Sequence, residues 1–243
     1  MLHRSKVEWP CLSIDFLVRE RCSPDGVASM SSWFPNQVLG KLDETAGNTY
    51  TDKQNQLRHK NDKFPMEMYM VAGSQAVKKT DNRIYVMKWS DMRQTLNEDE
   101  LASDSEEEEE KSKEPIIRFE GVPHRGGINR VRALHGSPIV ATWSEEGEVG
   151  IYNISAAIQA LDTPVVPGQA QKKVNYGGSK VASFRCKAEG YALDWSPRTF
   201  GRLAAGANDA SIMLYQSADE TCSSFVKETA VGLQSHRSAV EDL

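Results

Sequence analysis

The sequence predicts an all-β chain built from repeated strand pairs. Three observations point there: a gapless internal match, a shorter second match, and short apolar strands recurring between turn signals. In the first, residues 141–153 (ATWSEEGEVGIYN) lie over residues 204–216 (AAGANDASIMLYQ), offset by 63 positions. Each stretch is a strand, an acidic turn, and a second strand ending in tyrosine. Glu146 falls on Asp209, Val149 on Ile212, Ile151 on Leu214 and Tyr152 on Tyr215. The alternation in both second strands suits a sheet with at least one buried face. In the second, residues 124–128 (HRGGI) and 236–240 (HRSAV) share His-Arg and an apolar residue four positions after the histidine.

The remaining elements follow in chain order. Trp9, Leu12 and Ile14 alternate as the apolar set of a first inner strand, expected in the core of the first blade. Residues 67–74 (EMYMVAGS), a turn at Asp81-Asn82 and residues 83–90 (RIYVMKWS) form another strand pair. Residues 190–197 (GYALDWSP) read as an inner strand stopped by Pro197, which fixes φ and lacks an N–H. Residues 238–243 (SAVEDL) restart that pattern, with Asp242 lying 48 positions after Asp194. Residues 155–179 leave a strand, form a helical turn and return along the blade rim. Strand pairs recurring at about 40–60 residues indicate a propeller-type repeat; a β-sandwich of unrelated hairpins is the competing arrangement.

The expected organisation is an N-terminal segment and first inner strand over 1–22, and a polar, disordered insertion over 23–65. The rest of the first blade spans 66–90, an acidic disordered linker 91–114, and further blades 115–243, the last cut off. Propellers close with about 4–8 blades. This chain supplies about three and the start of another, so it reads as a truncated product or a fragment. An open array leaves unpaired edges and an uncovered apolar face, so the chain by itself is expected to associate with other chains.

Net charge is −5, but the acidity is local. Residues 98–110 hold nine acids (Glu98, Asp99, Glu100, Asp104, Glu106, Glu107, Glu108, Glu109, Glu110) and no Lys or Arg, leaving 25 acids against 29 bases elsewhere. Like charges this dense repel one another and keep a segment solvated. A flexible polyanion can occupy the Lys/Arg surface of a basic protein, the surface that would otherwise release counterions from nucleic acid. A plain solvating linker is the other reading of the same run. Ser103 and Ser105 sit beside these acids as candidate phosphorylation sites for an acidophilic kinase, each phosphate adding about −1.5 to −2 charge.

Other classes receive no support. No apolar run approaches the roughly 20 residues of a membrane-spanning helix, and no secretory signal is read at the N-terminus. Cys11, Cys22, Cys186 and Cys222 form no CxxC pair and no zinc-like spacing with histidine, and read as reduced thiols. No nucleophile elbow, phosphate loop or metal-protease signature is present. The expectation is therefore no enzyme, no cofactor, no metal, no membrane partner and no small-molecule substrate.

The stretches WPCLSIDFLVRE (9–20), YMVAGSQA (69–76), VPHRGGINRVRA (122–133), VATWSEEGEVGIYNI (140–154) and EGYALDWSPRTFGRLAAG (189–206) resemble the glutamate-rich WD-repeat family of ribosome-assembly chaperones. That family also keeps an acidic run between its first and second blades. The resemblance covers nearly the whole chain except 23–65. Tyr152 and Tyr215 stand where Trp is commoner in the repeat, and Asn153 and Gln216 where Asp is commoner. It implies an all-β, WD40-type propeller of seven blades in the nucleus and nucleolus. It implies an escort for a basic protein of the large ribosomal subunit, touching pre-ribosomal particles through that client. Related histone-binding WD proteins share the opening strand, so core histones are the alternative client. A ubiquitin-ligase substrate receptor would want an Asp/Arg docking motif at a blade end, which is missing. Within the repeat, His124, Thr142, Tyr152, Asp194, Trp195, Asp209, Tyr215 and His236 take structural roles, each histidine bonded within its own blade.

Overall fold

A computed structural model describes residues 11–17, 65–93, 114–164, 174–228 and 236–243. The insertion up to residue 64, the acidic run 98–110, Ser103 and Ser105 lie outside the described residues. Twelve strands form three four-stranded antiparallel sheets, each a simple meander. The first contains β1 (Cys11–Leu17), β2 (Met66–Ser74), β3 (Arg83–Met92) and β4 (Ile116–Pro123). The second contains β5 (Ile128–Ala133), β6 (Ile139–Ser144), β7 (Glu148–Asn153) and β8 (Lys180–Arg185). The third contains β9 (Ala192–Trp195), β10 (Arg202–Gly206), β11 (Ile212–Ser217) and β12 (Phe225–Lys227). A single described α-helix, α1 (Ser155–Asp162), follows β7 and buries Ala157, Ile158 and Leu161. These are three blades of a WD40-type propeller.

The 63-residue repeat is literal in the backbone. Gly147 and Ala210, aligned by that offset, have φ of 70° and 68°. Their N–H groups donate to the carbonyls of Ser144 and Ala207, again 63 apart. Both hairpins therefore turn through a left-handed residue, a conformation that costs Ala210 more than Gly147 because of its Cβ.

Sheets pack face to face on two apolar layers. Leu17, Val71, Ile84, Val86 and Val122 of the first sheet meet Ile128, Val131, Val140, Tyr152 and the apolar face of α1. Ala141, Trp143, Val149 and Ile151 of the second sheet meet Leu193, Leu203, Ala205, Met213 and Tyr215 of the third. Close approach depends on glycine. A Cβ on Gly73 would lie 2.4 Å from Ile128 Cγ2, and one on Gly206 would lie 2.6 Å from Val240 Cγ1. Val240, whose N–H donates to the Ala207 carbonyl, thus sits on the third sheet as Ile128 sits on the first.

Two expectations are corrected. The first blade does not end at residue 90, with 115 opening the next. β4 completes the first sheet, pairing from Arg83↔Pro123 to Ser90↔Ile116. The acidic run therefore interrupts the first blade between its third and fourth strands. That pairing bridges a long sequence gap, which local periodicity does not register. Second, Ile14 is not core: it is 56% exposed, as is Phe16 at 57%. Alternation identifies two faces of a strand, and in β1 it is the Ser13/Leu17 face that meets the second sheet.

Candidate functional site

Two ends of the sheets carry the residues singled out in the sequence. At one end, the loop from β4 to β5 buries His124. Its Nδ1 lies 2.9 Å from the Gly126 carbonyl oxygen and its Nε2 lies 3.2 Å from Thr142 Oγ1. A carbonyl only accepts, so the neutral ring carries its proton on Nδ1, and Nε2 accepts from the Thr142 hydroxyl. Burial pushes the imidazole pKa down to about 4, with Lys180 adding to the effect against the Gly126 bond. Tyr152 tilts against the ring at a centroid distance of 5.5 Å. Histidine, threonine and tyrosine therefore come together from a loop and two strands. A neutral imidazole fixed on both nitrogens braces the loop and has no free lone pair for chemistry.

Asp209 and His236 are placed differently. Asp209 is exposed, and its Oδ1 accepts from the Ser211 N–H and hydroxyl, bonds that hold its carboxyl below the usual range. It closes its own hairpin turn. Its aligned partner Glu146 instead pairs with Lys79, which lowers its pKa. His236 is exposed, four residues before buried Val240. Trp195 is buried and its Nε1 donates to the Arg132 carbonyl, while neighbouring Asp194 faces Arg132 Nε at 3.8 Å. Tyr215 is fully buried and stacks on Phe184 at 4.3 Å. Burial also raises the thiol pKa of Cys186, and pushes that of Cys222 up to about 11. Both are free thiols, held in the protonated and unreactive form.

A cavity of about 440 Å³ opens over His124, between Lys79, Arg125, Tyr152, Tyr176 and Lys180. Two of its cations are already engaged, Lys79 by Glu146 and Lys180 by Glu148. The cavity is therefore no ready-made anion site. Among the described residues no group of three or more His, Cys, Asp or Glu could hold a metal ion. No described helix is long and apolar enough to cross a membrane.

The opposite end of the first sheet is where the long connections attach. Leu17 pairs with Tyr69, Met66 with Met92, and Ser90 with Ile116, so both 18–65 and 93–115 begin and end there. The acidic run is thus a loop whose two stems sit on neighbouring strands, about 4.8 Å apart. Beside the stems is a fastening that the sequence reading missed. Arg118 donates from Nη1 to the carbonyls of Leu161 and Thr163, and from Nη2 to that of Ala160. These are the unpartnered carbonyls at the C-terminus of α1, where a cation is favoured. Tyr69 and Lys88 both reach Asp162. No local signal marks Arg118; it lies about 40 residues before the helix end it caps.

Known proteins place this geometry. Residues 1–93 match the family model described as histone-binding protein RBBP4 or a subunit of the CAF1 complex. The whole chain aligns with glutamate-rich WD repeat-containing protein 1 of Dictyostelium discoideum, at 29% identity and 43% of that protein's length. It aligns likewise with ribosome assembly protein rrb1 of Schizosaccharomyces pombe, at 31% identity and 42% of that length. Histone acetyltransferase type B subunit 2 of the same yeast matches 39% of the chain at 35% identity, over 19% of its own length. The chain thus spans less than half the length of these curated relatives. With its three meander blades and a similarity that runs from end to end, this chain is a WD-repeat propeller protein homologous to the glutamate-rich WD-repeat and ribosome-assembly proteins.

Proposed function

We propose that this chain is a non-enzymatic chaperone of ribosome assembly that holds a basic protein of the large subunit, in the nucleus and nucleolus, until RNA claims it. The observation that carries the proposal is the acidic run itself: nine carboxylates within residues 98–110, tethered at both stems to one end of the first sheet. The names of the full-length relatives supply the ribosomal context. Fully extended, residues 98–110 reach about 43 Å. Neighbouring carboxylates then lie within the Debye length of about 8 Å at physiological salt and act together on a cationic surface. Capture of a basic client is steered by this field, fast at low salt and weaker at high salt. The propeller gives the loop its anchor, and client contacts on the blades give selectivity. Pre-ribosomal particles are reached through the client. Ser103 and Ser105, once phosphorylated, would deepen the negative field.

A second reading, a histone-binding chromatin-assembly factor, is favoured by the match of residues 1–93 to a histone-binding family model. One experiment separates the two. The tagged chain is purified from cells after mild RNase treatment and its partners are identified. Recovery of one large-subunit ribosomal protein supports the chaperone; histones without ribosomal proteins support the second reading. Deleting residues 98–110 is expected to weaken capture about tenfold or more at low salt and to flatten the dependence of affinity on salt. Equal binding by the deletion variant would remove the acidic run from the mechanism.

A further inference from the structure

The first sheet has two faces, and one is bare. Cross-strand register puts Ile14, Ala72, Tyr85 and Gly121 in one row, Phe16, Met70, Met87 and Phe119 in a second, and Met68, Trp89 and Ile117 in a third. All three rows lie on the side away from the second sheet, and none contains a charge. Ala72, Tyr85 and Met87 form a small core there with Met70 and Trp89 against them. Around it Ile14, Phe16 and Phe119 remain 56%, 57% and 54% exposed. The covered face, by contrast, carries Asp15, Lys88, Arg118 and Glu120 at its margins. A further sign of incompletion is Trp89 Nε1, which is buried without a hydrogen-bond partner among the described residues. Trp143 and Trp195 each donate their indole N–H to a backbone carbonyl of a neighbouring blade.

We propose that this face joins two copies of the chain, sheet against sheet, around a twofold axis. Sheet faces pack at about 10 Å, with side chains of the two inner surfaces interleaved. A four-stranded sheet of this length offers about 500 Å² per copy, so two copies bury about 1,000 Å², the lower limit for a specific interface. The lack of charge gives no electrostatic cue for a partner of opposite sign, and a twofold interface pairs a surface with itself. Three methionines in the rows are unbranched and polarizable, able to fill the gaps that self-pairing leaves. The outer face of the third sheet is a poorer mate, because Val240 already occupies the hollow over Gly206. The proposal is independent of the client assigned above.

The test is the mass of the 243-residue chain in solution, by light scattering across micromolar concentrations. The expected species is a dimer of twice 27.1 kDa. Phe119→Lys is expected to weaken it about tenfold or more, while Val226→Lys, on an exposed residue of the third sheet, leaves it intact. Hydrogen exchange on the unmodified chain supplies a reading that needs no variant: at high concentration protection should rise in 11–17 and 116–123. A monomer at every concentration overturns the proposal. So does open-ended association, or protection confined to 202–217.

Discussion

Between the first and second sheets the fastening is polar, whereas between the second and third it is aromatic. In the first seam Ser13 Oγ accepts from the Val131 N–H, and Asp15 Oδ2 accepts from the Ala133 N–H at 2.8 Å. Farther out, Arg118 caps α1 and Asp162 gathers Tyr69 and Lys88. In the second seam Trp143 lies over the backbone of Gly190 and donates to the Gly206 carbonyl at 2.8 Å. Trp195 returns a bond to Arg132, and Phe184 stacks on Tyr215. The packing problem is the same in both, since each inner strand must dock on the blade before it. The first seam meets it with charge and capping beside an Ile-on-Gly contact; the second meets it with large rings set against glycine. The seams should therefore fail differently, the aromatic one to lost volume and the polar one to lost protonation balance.

The largest effect should come from Trp143→Ala. It removes a fully buried ring and leaves the Gly206 carbonyl without its donor. A loss of about 4 kcal/mol is expected in denaturant unfolding. A loss below about 1 kcal/mol would mean that the second seam does not depend on its indole. Acid should attack the first seam. His124 has a folded pKa of about 4 against an ordinary 6.5, so the unfolded chain binds the extra proton. Its contribution is whole above pH 6.5 and falls as pH drops towards 4, by about 3 kcal/mol in all. Unfolding followed from pH 7 to 4 checks this, and His124→Gln should flatten the curve.

Gly73→Ala tests the Ile-on-Gly contact. Its Cβ would sit 2.4 Å from Ile128, and a cost of about 2 kcal/mol is expected. Ile128→Val in the same chain should restore part of it. Smallest is Arg118→Ala. It uncaps α1 and should cost about 1 kcal/mol, with faster hydrogen exchange over 155–163 and none over 202–217.

Much of this was legible, and the particular residues show why. The hairpins β6–β7 and β10–β11 announced themselves because turn, strand and terminal tyrosine recur at one spacing, down to the left-handed Gly147 and Ala210. Trp195 and Pro197 likewise marked the end of β9. The repeat could not show that β4 belongs with β3, since that pairing closes over the acidic run. Nor could the alternation of Ile14 and Leu12 tell which side of β1 would be covered. Trp143 read as one apolar strand residue among several, and its reach to Gly206 depends on how two sheets cross. His124 was legible because histidine before an inner strand recurs at His236, yet the two differ in setting: one is buried beneath Tyr152, the other exposed.

The position of residues 93–115 between two paired strands has one more consequence. A protease that cuts within 98–110 would divide the polypeptide without dividing the blade. β4 would stay in place through its ladder to β3 and through the grip of Arg118 on α1. The nicked protein should run as two bands on a denaturing gel and as one particle in native buffer. The same site should therefore accept a cargo domain, or serve as new chain termini in a permuted gene.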